Sequence, residues 1–229
     1  MNKRVIVTCL IMVVCSFAAC GAEGPKEENP SATYEAVSEK AKENGNSKLT
    51  AETLMEYAAS EDSDFFFDPD DEGGCSAERY YGEDKIIVVP EEHNSLPVKR
   101  LGKYVFSNME ELEGLLIPDS VIEIREGICS LDTGLKIVVF GANVKSVGEA
   151  AFLGCSSLET VVLNEGLEEI GNQVFSMCKS LKELEIPESV TEINPSAFVG
   201  ISTELKIIGK SGSYAEQFAT ENNIEFVAK

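Results

Sequence analysis

The sequence predicts a mostly β fold of α+β type, a solenoid of about five 23-residue units with a β-hairpin cap at one end and a helix-strand cap at the other. Three observations predict it. From residue 98 onward apolar residues recur every 23 positions, as in Val98, Val121, Val144, Leu167 and Val190. Four further aliphatic ladders keep the same register, and a fixed period in this range marks a stacked coil. The segments on either side break the period and carry hairpin and helix patterns. The ends of a solenoid need such a change, because an end rung has no neighbour to bury its apolar edge.

The elements follow in chain order. Residues 1–19 read as a secretory signal peptide: Lys3 and Arg4 form a charged start, Val5 to Val14 an apolar run, and Ser16 to Ala19 a small-residue exit. The run is too short to span a membrane as a helix. Phe17-Ala18-Ala19-Cys20 resembles the bacterial lipobox, with Phe17 where that motif usually has Leu. The resemblance implies cleavage before Cys20 and lipidation of its thiol, so that acyl chains anchor the protein to a membrane. The alternative is ordinary cleavage after Ala18 or Ala19, which releases the chain. Residues 20–49 are rich in Glu, Lys, Asn, Gly, Ser and Pro, a composition that cannot bury enough surface to order itself. They read as a flexible tether with a span on the order of 30 Å.

Residues 50–63 open on a short helix, with Thr50 as N-cap, Glu52 in the first turn, and Leu54, Tyr57 and Ala58 on one face. Its expected role is to dock on the folded part. Residues 64–97 read as strand, tight Asp-Glu-Gly-Gly turn, strand and entry strand, the N-terminal cap. Residues 98–204 hold the repeats. Leu101, Ile124, Val147, Ile170 and Ile193 form the second ladder, and Leu112, Leu135, Leu158 and Leu181 the third. Leu115, Val138, Val161 and Leu184 follow, then Ile117, Phe140, Leu163 and Ile186. Phe106, Cys129, Phe152, Phe175 and Phe198 complete the set, with Cys129 standing where the others have Phe. Residues 205–229 leave the register and read as a strand, a helix over Ser213 to Asn222 and a closing strand, the C-terminal cap.

"IPDSVIEIREG", "VKSVGEAAFLGCSSLETVVL" and "IPESVTEINPSAF" resemble the BspA-like (bacterial surface antigen) class of leucine-rich repeat over roughly residues 64–229. Its unit runs Val-x-x-Ile-Gly-x-x-Ala-Phe-x-x-Cys-x-x-Leu-x-x-Val-x-Leu-Pro. The departures are Cys129 for Phe, Asp132 for Cys, and Gly141 and Asn164 for Pro. The resemblance implies a coil whose Cys positions are small buried packing residues, and it implies adhesion or host interaction at a bacterial surface.

Candidate chemistry is sparse. Cys155 and Cys178 occupy the same place in adjacent units, where a disulfide competes with two packing thiols. A catalytic thiol would need a positioned base, and none is evident. Asp68-Pro69-Asp70-Asp71-Glu72-Gly73 has a glycine at the sixth place of a calcium loop, but Arg79 at the twelfth, where a bidentate Glu is required. A hairpin turn explains it better. His93 is the single histidine, so neither a zinc site nor a hydrolytic triad has support. No glycine-rich phosphate loop is present. Forty Asp and Glu against nineteen Lys and Arg give a net charge of −21, a surface that repels nucleic acid. No enzyme activity, metal or cofactor is expected.

What remains is a surface. In each strand the residues flanking the inward one should face solvent: Gly114 and Leu116, Ile137 and Val139, Thr160 and Val162, Glu183 and Glu185. They form an apolar stripe, Leu116-Val139-Val162, graded into an acidic end. Repeat proteins bind through such sheet faces, although sheet propensity alone also favours β-branched residues there. The expected function is a lipid-anchored surface protein, outside the bacterial membrane, that binds an extracellular or host protein or glycan through this face. The alternative is a structural scaffold of the cell envelope.

Overall fold

The computed structural model describes residues 49–229, so the signal segment, Cys20 and the tether up to residue 48 lie outside the described residues. The described chain opens with a one-turn helix, α1 (Ala51–Leu54). The hairpin β1 (Phe65–Pro69) and β2 (Cys75–Tyr80) follows, then β3 (Ile86–Val88), β4 (Glu92–His93) and β5 (Leu96–Leu101). From there strands alternate between two sheets. β6 (Gly114–Leu116), β8 (Ile137–Val139), β10 (Thr160–Val162) and β12 (Glu183–Glu185) build one sheet face; β7 (Glu123–Ile124), β9 (Ser146–Val147), β11 (Glu169–Ile170) and β13 (Glu192–Ile193) build the other. The chain ends with β14 (Lys206–Gly209), α2 (Tyr214–Glu221) and β15 (Glu225–Ala228).

Each turn of the coil carries a three-residue strand because one inward side chain is enough to bridge to the core. Leu115, Val138, Val161 and Leu184 are that residue in successive rungs, and all are buried. Parallel pairing sets Leu115 beside Val138 and Val138 beside Val161, so like sits next to like along the axis. Seven strands make this face: β3, β6, β8 and β10 pair in one ladder, and β12, β14 and β15 in a second. The opposite sheet runs β1-β2-β5-β7-β9-β11-β13, parallel except for the β1–β2 hairpin. The helix α1 is shorter than the sequence pattern suggests, and Tyr57 and Ala58 lie in the turn and coil that follow it.

Between the sheets the turns repeat their backbone strain as well as their side chains. Tyr104, Gly127, Ala150 and Gln173 hold φ between 55° and 64°, and Asn108, Leu131, Gly154, Met177 and Gly200 hold φ between 62° and 75°. Left-handed backbone is costly for residues with a Cβ, so five or more such positions persist only because both neighbouring turns impose them. The glycines have a second role. A Cβ on Gly127 would lie 2.2 Å from the Tyr104 ring, and one on Gly200 would lie 2.5 Å from Met177 Sδ. A large side chain in one turn therefore lies over a glycine in the next.

The core is one continuous cluster running the length of the coil. Phe152, Phe175 and Phe198 stack with centroids 5.8 Å apart, and Phe218 of α2 continues the column at 5.8 Å. Cys129 interrupts it. Phe140, from the neighbouring ladder, packs against Phe152 at 6.0 Å and supplies aromatic volume on that side. The other departure from the repeat, Asp132, is fully buried where Cys155 and Cys178 sit in later turns. Its Oδ1 accepts the Met109 N–H at 2.7 Å, while Oδ2 has no partner. Burial pushes its carboxyl up to about 7.

That burial makes stability depend on pH. A carboxyl that keeps its proton to a higher pH when folded binds more protons than the unfolded chain between pH 4 and 7, so stability falls as pH rises through this window. The expected loss from this group is up to about 4 kcal/mol. Asp132→Cys, which supplies the residue that the two later turns carry, should flatten this fall and stabilise the chain at pH 8 by about 1–4 kcal/mol. Urea unfolding of both chains at pH 5 and pH 8 measures it; an equal pH slope in the two would refute the assignment.

Candidate binding surface

Two columns of outward side chains run down the seven-strand face. The first is Ile86, Gly114, Ile137 and Thr160, then Glu183, Lys206 and Glu225; the second is Val88, Leu116, Val139 and Val162, then Glu185, Ile208 and Val227. The first half is apolar apart from Thr160; the second carries Glu183, Lys206, Glu225 and Glu185, with Ile208 and Val227 the apolar members of its second column. Between β10 and β12 no strand pairing joins the two ladders, so the chemistry changes where the hydrogen-bonded sheet is interrupted.

The apolar half is not open to solvent, contrary to the expectation from sequence. Ile137 is 1% exposed and Val139 3%, because α1 lies across them. Leu54 is fully buried there, with Leu49, Ala51, Ile86, Leu116 and Val162 packed around the same small cluster. The face is shaped for this segment. A Cβ on Gly114 would stand 3.0 Å from Leu54 Cδ1, 3.0 Å from Ile86 Cδ1 of the coil and 3.2 Å from Leu49 Cδ2, so the absent side chain is a notch that the two strap leucines share with Ile86. Of the other expected surface residues, Thr160, Glu183 and Glu185 are exposed and Leu116 and Val162 half-buried.

The strap is held almost wholly by apolar contact. Thr50 and Thr53 cap one another: Thr53 N–H donates to Thr50 Oγ1 at 3.3 Å and Thr50 N–H to Thr53 Oγ1 at 2.9 Å. Among the described residues, the hydrogen bonds of residues 49–59 stay within that segment. The first tie to the coil is Ser60, whose N–H donates to the Val88 carbonyl at 2.9 Å while its Oγ accepts the Val88 N–H at 3.3 Å. Burying one leucine contributes about 2 kcal/mol. The strap is therefore a weakly held element on a strongly held coil.

Charge organises the second half. Lys206 Nζ lies 3.2 Å from Glu225, and Lys229 reaches back to Glu185 across the sheet. Such exposed pairs contribute little stability individually, but they fix an alternating pattern of sign.

The residues that suggested chemistry have structural partners. Asp70 Oδ1 accepts the N–H groups of Gly74 and Glu72, each at 2.8 Å, and Arg100 lies 2.6 Å from its other oxygen. The Gly74 hydrogen bond in particular holds the Asp70 carboxyl below its ordinary range, as a hairpin turn requires. His93 stacks on Phe67 at 4.4 Å and bonds Asp62 at 2.7 Å. Cys155 and Cys178 are free, buried thiols that donate to the carbonyls of Cys129 and Phe152 at 3.0 and 3.2 Å. Burial pushes Cys178 up to about 12 and Cys155 higher still, which makes them inert. Among the described residues no three His, Cys, Asp or Glu side chains are grouped to hold a metal ion.

The model of the BspA type leucine rich repeat region matches residues 92–222 in six copies. The chain belongs to this family. Among solved structures, a leucine-rich-repeat protein of T. pallidum (TpLRR) is 27% identical with a TM-score of 0.64, over 66% of this chain and 71% of that one. A leucine-rich cell surface protein of Faecalibacterium prausnitzii is 24% identical with a TM-score of 0.45, over 66% of this chain and 54% of that one. No curated protein matches the chain. The described residues carry two shallow depressions. One lies along Ser146 to Asn194 on the second sheet and one beside Phe218, and neither brings a nucleophile and a base together.

Sequence reasoning found the columns but missed their cover. The available signal was Gly114 itself: a glycine in a strand position where later units have Ile137, Thr160 and Glu183 marks close approach of something else. Gly114→Val should evict α1 without unfolding the coil. Hydrogen exchange at the Leu54 and Met55 amides, which donate to Thr50 and Ala51, is expected to accelerate at least about tenfold, with the Cys129 and Phe152 amides unchanged. Uniform acceleration would show that strap and coil unfold as one.

Proposed function

We propose that this is a lipid-anchored surface protein of a bacterium that binds an extracellular protein or glycan through the strand face of its solenoid, in an adhesive role. The observation that supports this reading is the face itself: Leu116, Ile137, Val139, Thr160, Val162, Glu183 and Glu185 form two aligned columns that pass from a notched apolar half to a charged half. Such a surface offers an apolar anchor and a charge register side by side, which together give affinity and orientation. Membership of the BspA-type family supports the same role. The 23-residue repeats carry the face, and the β1–β2 hairpin and α2–β15 act as caps that keep the coil ends soluble.

Screening the full chain against extracellular-matrix proteins and host glycans tests this. The paired change Thr160→Arg and Glu183→Arg alters exposed positions only and should weaken capture of the partner about tenfold or more, with unfolding unchanged. Unaltered capture would move the site off this face. Anchoring is tested separately: Cys20→Ser should shift the chain from the membrane fraction to the soluble fraction, and retention of the variant in the membrane would overturn the anchor.

A further inference from the structure

We infer that the apolar half of the strand face is a peptide-binding groove whose resident occupant is this chain's own segment Leu49–Leu54, and that a ligand peptide with the same anchor pattern enters by displacing it. The inference rests on the strand face being the binding surface and adds what that surface accepts: a short, uncharged-faced segment with two leucine-like anchors five residues apart and a small residue between them.

Four observations carry it. The groove is specific in shape, because the missing side chain at Gly114 leaves room for Leu54 Cδ1 and Leu49 Cδ2 beside Ile86, while Ile137 and Val139 form its floor. The segment is separable, because its cluster of Leu54, Ile137 and Val139 is distinct from the core that runs through the coil. It is loosely tied, since its polar groups bond within the segment and the first hydrogen bond to the coil comes at Ser60. The flanking surface is graded: Thr160, Glu183 and Glu185 stay exposed beside the covered stretch, so a longer ligand that displaces the strap meets further contacts that the strap does not make. Those extra contacts give an incoming segment the differential affinity that displacement requires. The covered state also explains how an apolar stripe is kept from solvent in the free chain.

The test uses a labelled synthetic peptide of residues 48–60, added to the full chain. Wild-type protein should bind it weakly, because the groove is filled. Leu54→Asp, which expels the strap, should bind the wild-type peptide at least about tenfold more tightly. A peptide with Leu49→Asp and Leu54→Asp should not bind either protein. Adding Val139→Asp to the Leu54→Asp chain should abolish binding while circular dichroism shows the coil intact. Should Leu54→Asp fail to fold, Leu54→Ala loosens the strap without burying a charge and carries the same expectation of tighter peptide binding. Equal affinity of the wild-type and strap-loosened chains, or no binding to a folded strap-loosened chain, overturns the inference. Because the probe is the chain's own segment, this result is independent of whether the screen for a host partner succeeds: a partner whose capture is unchanged by Leu54→Asp overturns displacement but leaves surface binding standing.

Discussion

The coil depends on one constraint, the 23-residue register that places each side chain beside its equivalent in the next turn. Packing in such a coil is nearest-neighbour packing, so the partner of a residue is set by arithmetic rather than by a distant part of the fold. The consequence is compensation in pairs. Tyr104 covers Gly127 and Met177 covers Gly200 because two large residues in succession would collide. Cys129 leaves the aromatic column one ring short, and Phe140, in a ladder otherwise aliphatic, leans on Phe152. Two departures keep a buried oxygen without a partner, Asp132 Oδ2 and Asn164 Oδ1, and at Asp132 the cost is expressed as a raised proton affinity.

The same register concentrates charge. Glu169 lies directly beside Glu192 in the second sheet, and a chain with a net charge of −21 meets this repulsion repeatedly. Lysines offset it rung by rung: Lys136 lies 2.7 Å from Glu113, Lys145 3.0 Å from Glu168, and Lys182 2.7 Å from Glu204. These bridges each join one turn to the next, so exposed charge follows the coil axis as the apolar ladders do. Their individual contributions are small, and their effect is to let an acidic surface coexist with close stacking.

Much of the architecture was legible because a repeat announces itself several times. The ladders from Val98 to Val190 and from Leu112 to Leu181 place the inward residues correctly, and all nine of these residues are buried. The same periodicity set Cys155 and Cys178 at equivalent places in adjacent turns, and the family resemblance supplied their packing role. What periodicity cannot show is anything that occurs once. Leu49–Leu54 has no counterpart in another unit, so its expected docking had no address beyond the lone Gly114, and Ile137 and Val139 looked exposed. The left-handed backbone at Leu131 and Met177 was hidden for a different reason: in a solitary turn such residues would avoid that conformation, and only the stack imposes it.

The division of the strand face follows from these two kinds of information. A solenoid can present one chemistry along its whole length only if every unit repeats its outward residues, and here they do not. Gly114, Ile137, Thr160, Glu183 and Lys206 occupy one column with five different side chains, whereas the inward Leu115, Val138, Val161, Leu184 and Ile207 beside them stay aliphatic. Inward positions are constrained by stacking and outward ones by what lies over them. Where something does lie over them, at Gly114 and Ile137, the outward residues have the size and polarity of a core. Where nothing does, from Thr160 onward, they become polar and then charged. The outward column thus records the extent of the cover, which reaches Val162 on β10 but leaves Thr160 of the same strand facing solvent.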